Sequence, residues 1–219
     1  MDKYTMTIES HPLKPFLPEN ATVLFLGSFP PPKARWSMEF FYPNWINDFW
    51  RIQGLIHFGD RAHFEVAGEK RFDYDKVVAF CREKGLAFFD TARKVRRLKG
   101  NADDNFLEIV EGTDVFALLA QLPECRTIVT TGGKASEELQ AYLASHGIKV
   151  SIPKVGEMVS LDPVAQNPAT LRPSPPPQYG NEPSRPTHLC WWRMPSSSRA
   201  YPMKLENKAA YYEKSVIFV

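Results

Sequence analysis

Thr22-Val23-Leu24-Phe25-Leu26-Gly27-Ser28-Phe29-Pro30-Pro31-Pro32 is the stretch whose reading decides the fold. Its first half is a short apolar run. Its second half cannot extend a sheet, because proline has no backbone N–H to place in a ladder. The segment therefore reads as a buried strand, Ala21 to Leu26, stopped by a loop. That loop leads into Phe40-Phe41-Tyr42-Pro43-Asn44-Trp45-Ile46-Asn47-Asp48-Phe49-Trp50, where polar amides sit among large aromatic rings. Such a composition suits the lining of a pocket.

Working outward, Asn47 to Leu55 patterns as a helix, and so does Tyr74 to Lys84, which stops at Gly85. Leu86 to Phe89 is a second apolar strand, and it ends in Asp90, a carboxylate placed for a site or a helix cap. Phe106 to Val110 followed by Asp114 to Leu122 reads as a helix or short helical pair. Thr127 to Thr130 is a third strand, and Gly132-Gly133 turns it into a helix from Lys134 to Ser145. Ile148 to Val150 is expected to be a small strand, His188 to Arg193 a further one, and a last helix begins near Leu205. Residues 1–20, with Pro12, Pro15 and Pro18, read as an irregular lead-in. Residues 163–186 are a proline-rich insertion loop. Strands alternating with helices imply one α/β domain over residues 1–219, a sandwich around a mainly parallel sheet. Ligands in such folds gather beyond the carboxyl ends of the strands. Gly27, Asp90, Thr131-Gly132-Gly133 and the loop from Met194 all follow predicted strands.

The chain has 219 residues, 43% of them hydrophobic and 24% charged, which is the composition of a folded, soluble domain. It has no apolar run of about 18 residues and no basic-then-apolar leader, so a cytoplasmic location and no membrane partner are expected. Cys81, Cys125 and Cys190 are odd in number and far apart, against a disulfide framework or a four-cysteine metal site. The histidines form no compact ligand pattern, so neither a metal nor another cofactor is expected. The formal charge of +2 neither demands nor excludes a nucleic-acid partner, but Arg93-Lys94-Val95-Arg96-Arg97-Leu98-Lys99 is a dense basic run.

Two segments, Gly27-Ser28-Phe29-Pro30 continuing to Asn47-Asp48-Phe49-Trp50, and Met194-Pro195-Ser196-Ser197-Ser198-Arg199-Ala200, resemble the active-site motifs of the uracil-DNA glycosylase superfamily. They are most similar to the branch of mismatch-specific and hypoxanthine-DNA glycosylases. The resemblance implies a three-layer α/β/α sandwich with a four-stranded, mainly parallel sheet. It also implies hydrolysis of the N-glycosidic bond of a damaged or mismatched base flipped from DNA. Asn47 would orient the attacking water, with Asn44 as the second choice. Tyr42 would stack on the base, with Phe41 as a substitute, and Gly27, Ser28 and Phe29 would meet the base or the water through their backbone. Ser196, Ser197 and Ser198 would contact DNA, and Arg199 would touch a phosphate or act as a wedge. Arg93, Arg96 and Arg97, with Lys94 and Lys99, would add phosphate contacts.

The chain departs from the family pattern in two places. Phe29 stands where mismatch-specific members carry asparagine, and the second motif lacks histidine. An amide is a poor general base, so catalysis would rest on positioning and preorganised electrostatics, without a covalent intermediate. The chain is expected to act as a monomer. Two other classes fit the residues: a noncatalytic nucleic-acid-binding relative, marked by salt-sensitive binding without base release, and a nucleotide-processing hydrolase, marked by activity on free nucleosides.

Overall fold

The computed structural model describes residues 7–99, 104–162 and 188–216, so the proline-rich segment lies outside the described residues. Thirteen elements frame the site: β1 (Ile8–Ser10), β2 (Val23–Gly27), α1 (Phe49–Phe58), α2 (Tyr74–Glu83), β3 (Leu86–Asp90), β4 (Ala92–Arg97), β5 (Leu107–Gly112), α3 (Val115–Leu119), β6 (Thr127–Thr131), α4 (Gly133–Ser145), β7 (Met158–Ser160), β8 (Cys190–Met194) and α5 (Leu205–Val216).

The main sheet has the order β3-β2-β6-β8-β7. Its first four strands are parallel and coincide with the four apolar runs of the sequence; β7 adds an antiparallel edge to β8. Every residue of β2 and β3 is buried, as expected for parallel strands covered on both faces. Helices flank this mixed sheet in a three-layer α/β/α arrangement, with α2 against β3, α4 against β6, and α5 against both β8 and α1. Trp50, Phe49, Phe88, Trp191 and Tyr212 fill the core. Among the described residues no helix is long and apolar enough to cross a membrane.

Three local expectations are corrected. Leu107–Gly112 is a strand, β5, where the sequence suggested helix. Leu107 is buried with Ala92, Val95 and Phe29, and Ile109 packs on them, while Glu108 points outward, a period of two that tertiary pairing with β4 makes decisive. Ile148 to Val150 is not a strand, because the Gln140 amide of α4 donates to the Val150 carbonyl at 2.9 Å, in place of a neighbouring strand. The lead-in carries a strand: β1 pairs with β4, giving a second sheet β1-β4-β5, and Phe16 forms an antiparallel bridge with Phe88.

Candidate active site at the strand ends

Gly27, Asp90, Thr131 and Met194 stand at the carboxyl ends of the four parallel strands, in adjacent registers: Gly27 opposite Asp90, and Thr131 opposite Met194. A Cβ at residue 27 would fall on Asp90 Oδ1 and lie 3.9 Å from the Tyr42 hydroxyl. Glycine here therefore allows the carboxylate and the phenol to share one corner. Tyr42 has φ +50°, a left-handed conformation uncommon for an aromatic residue. That backbone lays its ring on Phe49, with centroids 3.9 Å apart and 7° between planes, while its hydroxyl reaches Thr131 Oγ1 at 2.8 Å. Burial pushes the Tyr42 phenol pKa well up, so this hydroxyl stays protonated.

Phe41 packs on Phe88 and Phe40 inside the core, its ring centroid lies 6.3 Å from that of His11, and its carbonyl accepts from Trp50 Nε1 at 3.0 Å. The Phe29 ring joins the small cluster under β4 and β5 and meets the His11 ring edge-on, with centroids 5.2 Å apart. What remains beside Gly27 from this loop is its backbone: the Gly27 carbonyl accepts from Thr91 N at 2.9 Å and that of Ser28 from Ala92 N at 3.3 Å. The Ser28 hydroxyl donates to Asp104.

Asn47 opens α1. Its Oδ1 accepts from Phe49 N at 2.9 Å, satisfying one of the free N–H groups of the helix start, while its Nδ2 carries no hydrogen bond among the described residues. Asn44 Oδ1 is bound to Ile46 N at 3.2 Å, and its carbonyl accepts from Asn47 N at 2.8 Å, so Asn44 shapes the turn that delivers Asn47. The buried Arg51 locks that turn from below, donating to the carbonyls of Trp45 (2.7 Å) and Asn47 (3.0 Å) and pairing with Glu65 at 2.6 Å. Burial lowers the Arg51 pKa and the facing Glu65 opposes that fall.

The two loops that the sequence places about 150 residues apart meet directly. Asn47 bridges Ser198, and Asp48 N donates to the Ser197 carbonyl at 2.9 Å. Asp48 also receives Arg199 Nε at 3.1 Å on one oxygen and Lys208 Nζ at 3.2 Å on the other. Lys208 is wholly buried and donates again, to the Ser198 carbonyl at 2.8 Å, tying α5 to both loops. The serines differ in placement. Ser197 is only 2% exposed and contributes its carbonyl to this clasp. Ser196 lies against Gly132 and its Oγ accepts from Ser198 N; the Ser198 hydroxyl accepts from Ala200 N. Arg199 is the exposed cation of this loop.

Arg93 to Arg97 of the basic run lie in β4. Its cations are matched across the small sheet: Arg93 and Lys94 with Glu111, Arg96 with Glu108, and Arg97 with Glu9 and the Pro30 carbonyl. This matching follows from antiparallel pairing, which sets Lys94 and Arg96 opposite glutamates of β5.

Sequence reasoning missed two groups. His11 follows β1 and places Nε2 2.9 Å from Asp90 Oδ2; nothing in its neighbourhood in the chain marks it. Lys208 had a visible signal, since Leu205, Lys208, Ala209 and Tyr212 form one helical stripe, and a lysine on an apolar stripe calls for a buried partner. Among the described residues no three histidine, cysteine or carboxylate side chains gather as metal ligands.

No protein-family model and no curated protein matches the chain. Among solved structures it is similar to the solution NMR structure of a putative uracil DNA glycosylase from Methanosarcina acetivorans, with 20% identity and a TM-score of 0.58, over 96% of this chain and 97% of that one. The two proteins share a fold along nearly their whole length.

Proposed function

We propose that the chain is a monofunctional DNA glycosylase of the uracil-DNA glycosylase superfamily, of the branch that holds mismatch-specific and hypoxanthine enzymes. It would hydrolyse, as a monomer, the N-glycosidic bond of a deaminated or mismatched base turned out of DNA. The observation that carries this reading is the joining of Asn47 to Ser198 next to the strand ends, with Tyr42 linking Phe49 to the Gly27 corner. The shared fold with the protein from Methanosarcina acetivorans supports it.

In this reading the base enters beside Asp90 and is flanked by Tyr42. Asp90 Oδ1, which carries no hydrogen bond among the described residues, accepts the ring N–H that uracil, thymine and hypoxanthine all present. Asn47 donates from its free Nδ2 to hold the attacking water, and its remaining Oδ1 lone pair accepts from that water. Charge developing on the base meets the backbone N–H groups of the Ser28 loop and the water shell. Rate enhancement comes from orientation and fixed dipoles, because an amide is a poor general base. Arg199 and Ser196 contact the DNA backbone. The exposed pairs of β4 are individually weak, so Arg93 and Arg96 can exchange glutamate for phosphate.

The test is base release from single- and double-stranded oligonucleotides bearing uracil, hypoxanthine, or thymine opposite guanine, with Asn47→Ala alongside. Release by the wild type is expected to fall by about 100-fold or more in the variant. Loss of the helix-start hydrogen bond costs about 1 kcal/mol, too little to unfold a domain of this size. Full activity in folded Asn47→Ala would defeat the assignment. Engagement of Asn47 Oδ1 by Phe49 N favours one second reading, a noncatalytic DNA-binding relative. Salt-sensitive binding with no base released from any lesion would select it.

A further inference from the structure

His11 is remote in sequence from both loops, yet its imidazole is 4% exposed and packed against Phe29, Phe41 and Phe89. It is anchored at three points. Its backbone N–H donates to the Arg93 carbonyl at 2.8 Å, its Nδ1 faces Leu13 O at 2.9 Å and Leu13 N at 3.2 Å, and its Nε2 meets Asp90 Oδ2 at 2.9 Å. An ionised carboxylate can only accept, whereas an imidazole N–H donates. Nε2 is therefore the donor and Asp90 the acceptor. Either state of Nδ1 is satisfied: unprotonated, it accepts from Leu13 N; protonated, it donates to Leu13 O.

The consequence falls on Asp90. A carboxylate free to rotate would present either oxygen and could take up a proton, which would turn it into a donor. With Oδ2 held by His11, the second oxygen is directed at the place where Gly27 lacks a side chain, and that oxygen carries no hydrogen bond among the described residues. The Asp90 side chain is 11% exposed.

We infer that His11 is a positioning residue: it clamps Asp90 so that Oδ1 acts only as an acceptor, and thereby confines the corner to bases that offer a ring N–H. This rests on the glycosylase reading above and names the base class and the residue that enforces it. A base alkylated at that nitrogen would set a methyl group against a charged oxygen and leave the oxygen unpaired.

The experiment measures binding without chemistry, using duplexes whose lesion carries a 2′-fluoro sugar that resists cleavage. Two pairs are compared: uracil with N3-methyluracil, and hypoxanthine with N1-methylhypoxanthine. Wild type is expected to prefer the N–H member by about 10- to 100-fold. His11→Phe, which keeps a ring and loses the donor, should bring the ratio to within about threefold of unity. His11→Gln, whose amide nitrogen reaches the place of Nε2, should restore most of it. An unchanged ratio in His11→Phe, no recovery in His11→Gln, or no preference in wild type would each overturn the inference. A measurement on wild type alone guards against misfolding of the variants. The His11 Nε2–H proton should be protected from solvent exchange by NMR, and should shift with the N–H duplex but not with the methylated one; an unprotected proton overturns the clamp. Base release from cleavable duplexes is followed in parallel. Its absence defeats the glycosylase reading, while the binding ratio still judges His11.

Discussion

Replacing Lys208 by methionine should expose how much the clasp between the two loops depends on one buried cation. Methionine keeps the length and most of the volume, so the change removes charge and donors without opening a large cavity. The wild-type ammonium is wholly buried, 3.2 Å from Asp48 Oδ2 and 2.8 Å from the Ser198 carbonyl. Its loss strands a buried carboxylate oxygen and a carbonyl. Removing one member of a buried ion pair costs about 3–5 kcal/mol, and Arg199 on the other oxygen holds the value near the lower end, about 3 kcal/mol. For a chain of this size that corresponds to a fall in Tm of about 6–12 °C. Urea unfolding of wild type, Lys208→Met, Asp48→Asn and the double variant supplies the measurement. With Asp48 neutralised there is no charge left to strand, so the double variant should be more stable than the sum of the single losses by about 2 kcal/mol. A Lys208→Met loss below about 1 kcal/mol, or strict additivity of the two changes, would refute this account.

Gly27→Ala puts a methyl group onto Asp90 Oδ1, so it should cost about 1–3 kcal/mol and suppress base release by displacing the carboxylate, read by thermal unfolding together with the oligonucleotide assay. Asp114 caps α3 through Ala117 N at 3.0 Å and accepts from the Tyr142 hydroxyl at 2.7 Å; the Ala117 N–H, then that hydroxyl, hold its pKa below the ordinary 3.8. Its stabilising effect is therefore complete above pH 3.8 and is lost as pH falls from there through the lower folded-state pKa. Asp114→Ala should thus be about 1 kcal/mol less stable than wild type at pH 7, and the gap should narrow in acid, as a denaturant series at several pH values will show.

The four parallel strands were legible in the chain because each is an apolar run ended by glycine, aspartate, threonine or proline, and a strand buried on both faces needs no partner to declare itself. β5 was not, since Phe106 to Val110 has too few residues to separate a period of two from a helical one; the cluster of Phe29, Ala92 and Val95 settled it. Placing Gly27, Asp90, Thr131 and Met194 at one edge followed from the α/β alternation alone. Which side chains act together there did not. Asp90 gains His11 from the segment after β1, Asp48 gains Lys208 from the last helix, and Phe41 and Ser197 turn inward despite standing in the two motifs. Such pairings join residues far apart in sequence, and their hydrogen bonds exist only once packing has excluded water and fixed each donor against its acceptor. Local order thus brought the chain to an α/β sheet with polar strand ends, and tertiary burial decided which charges stand together.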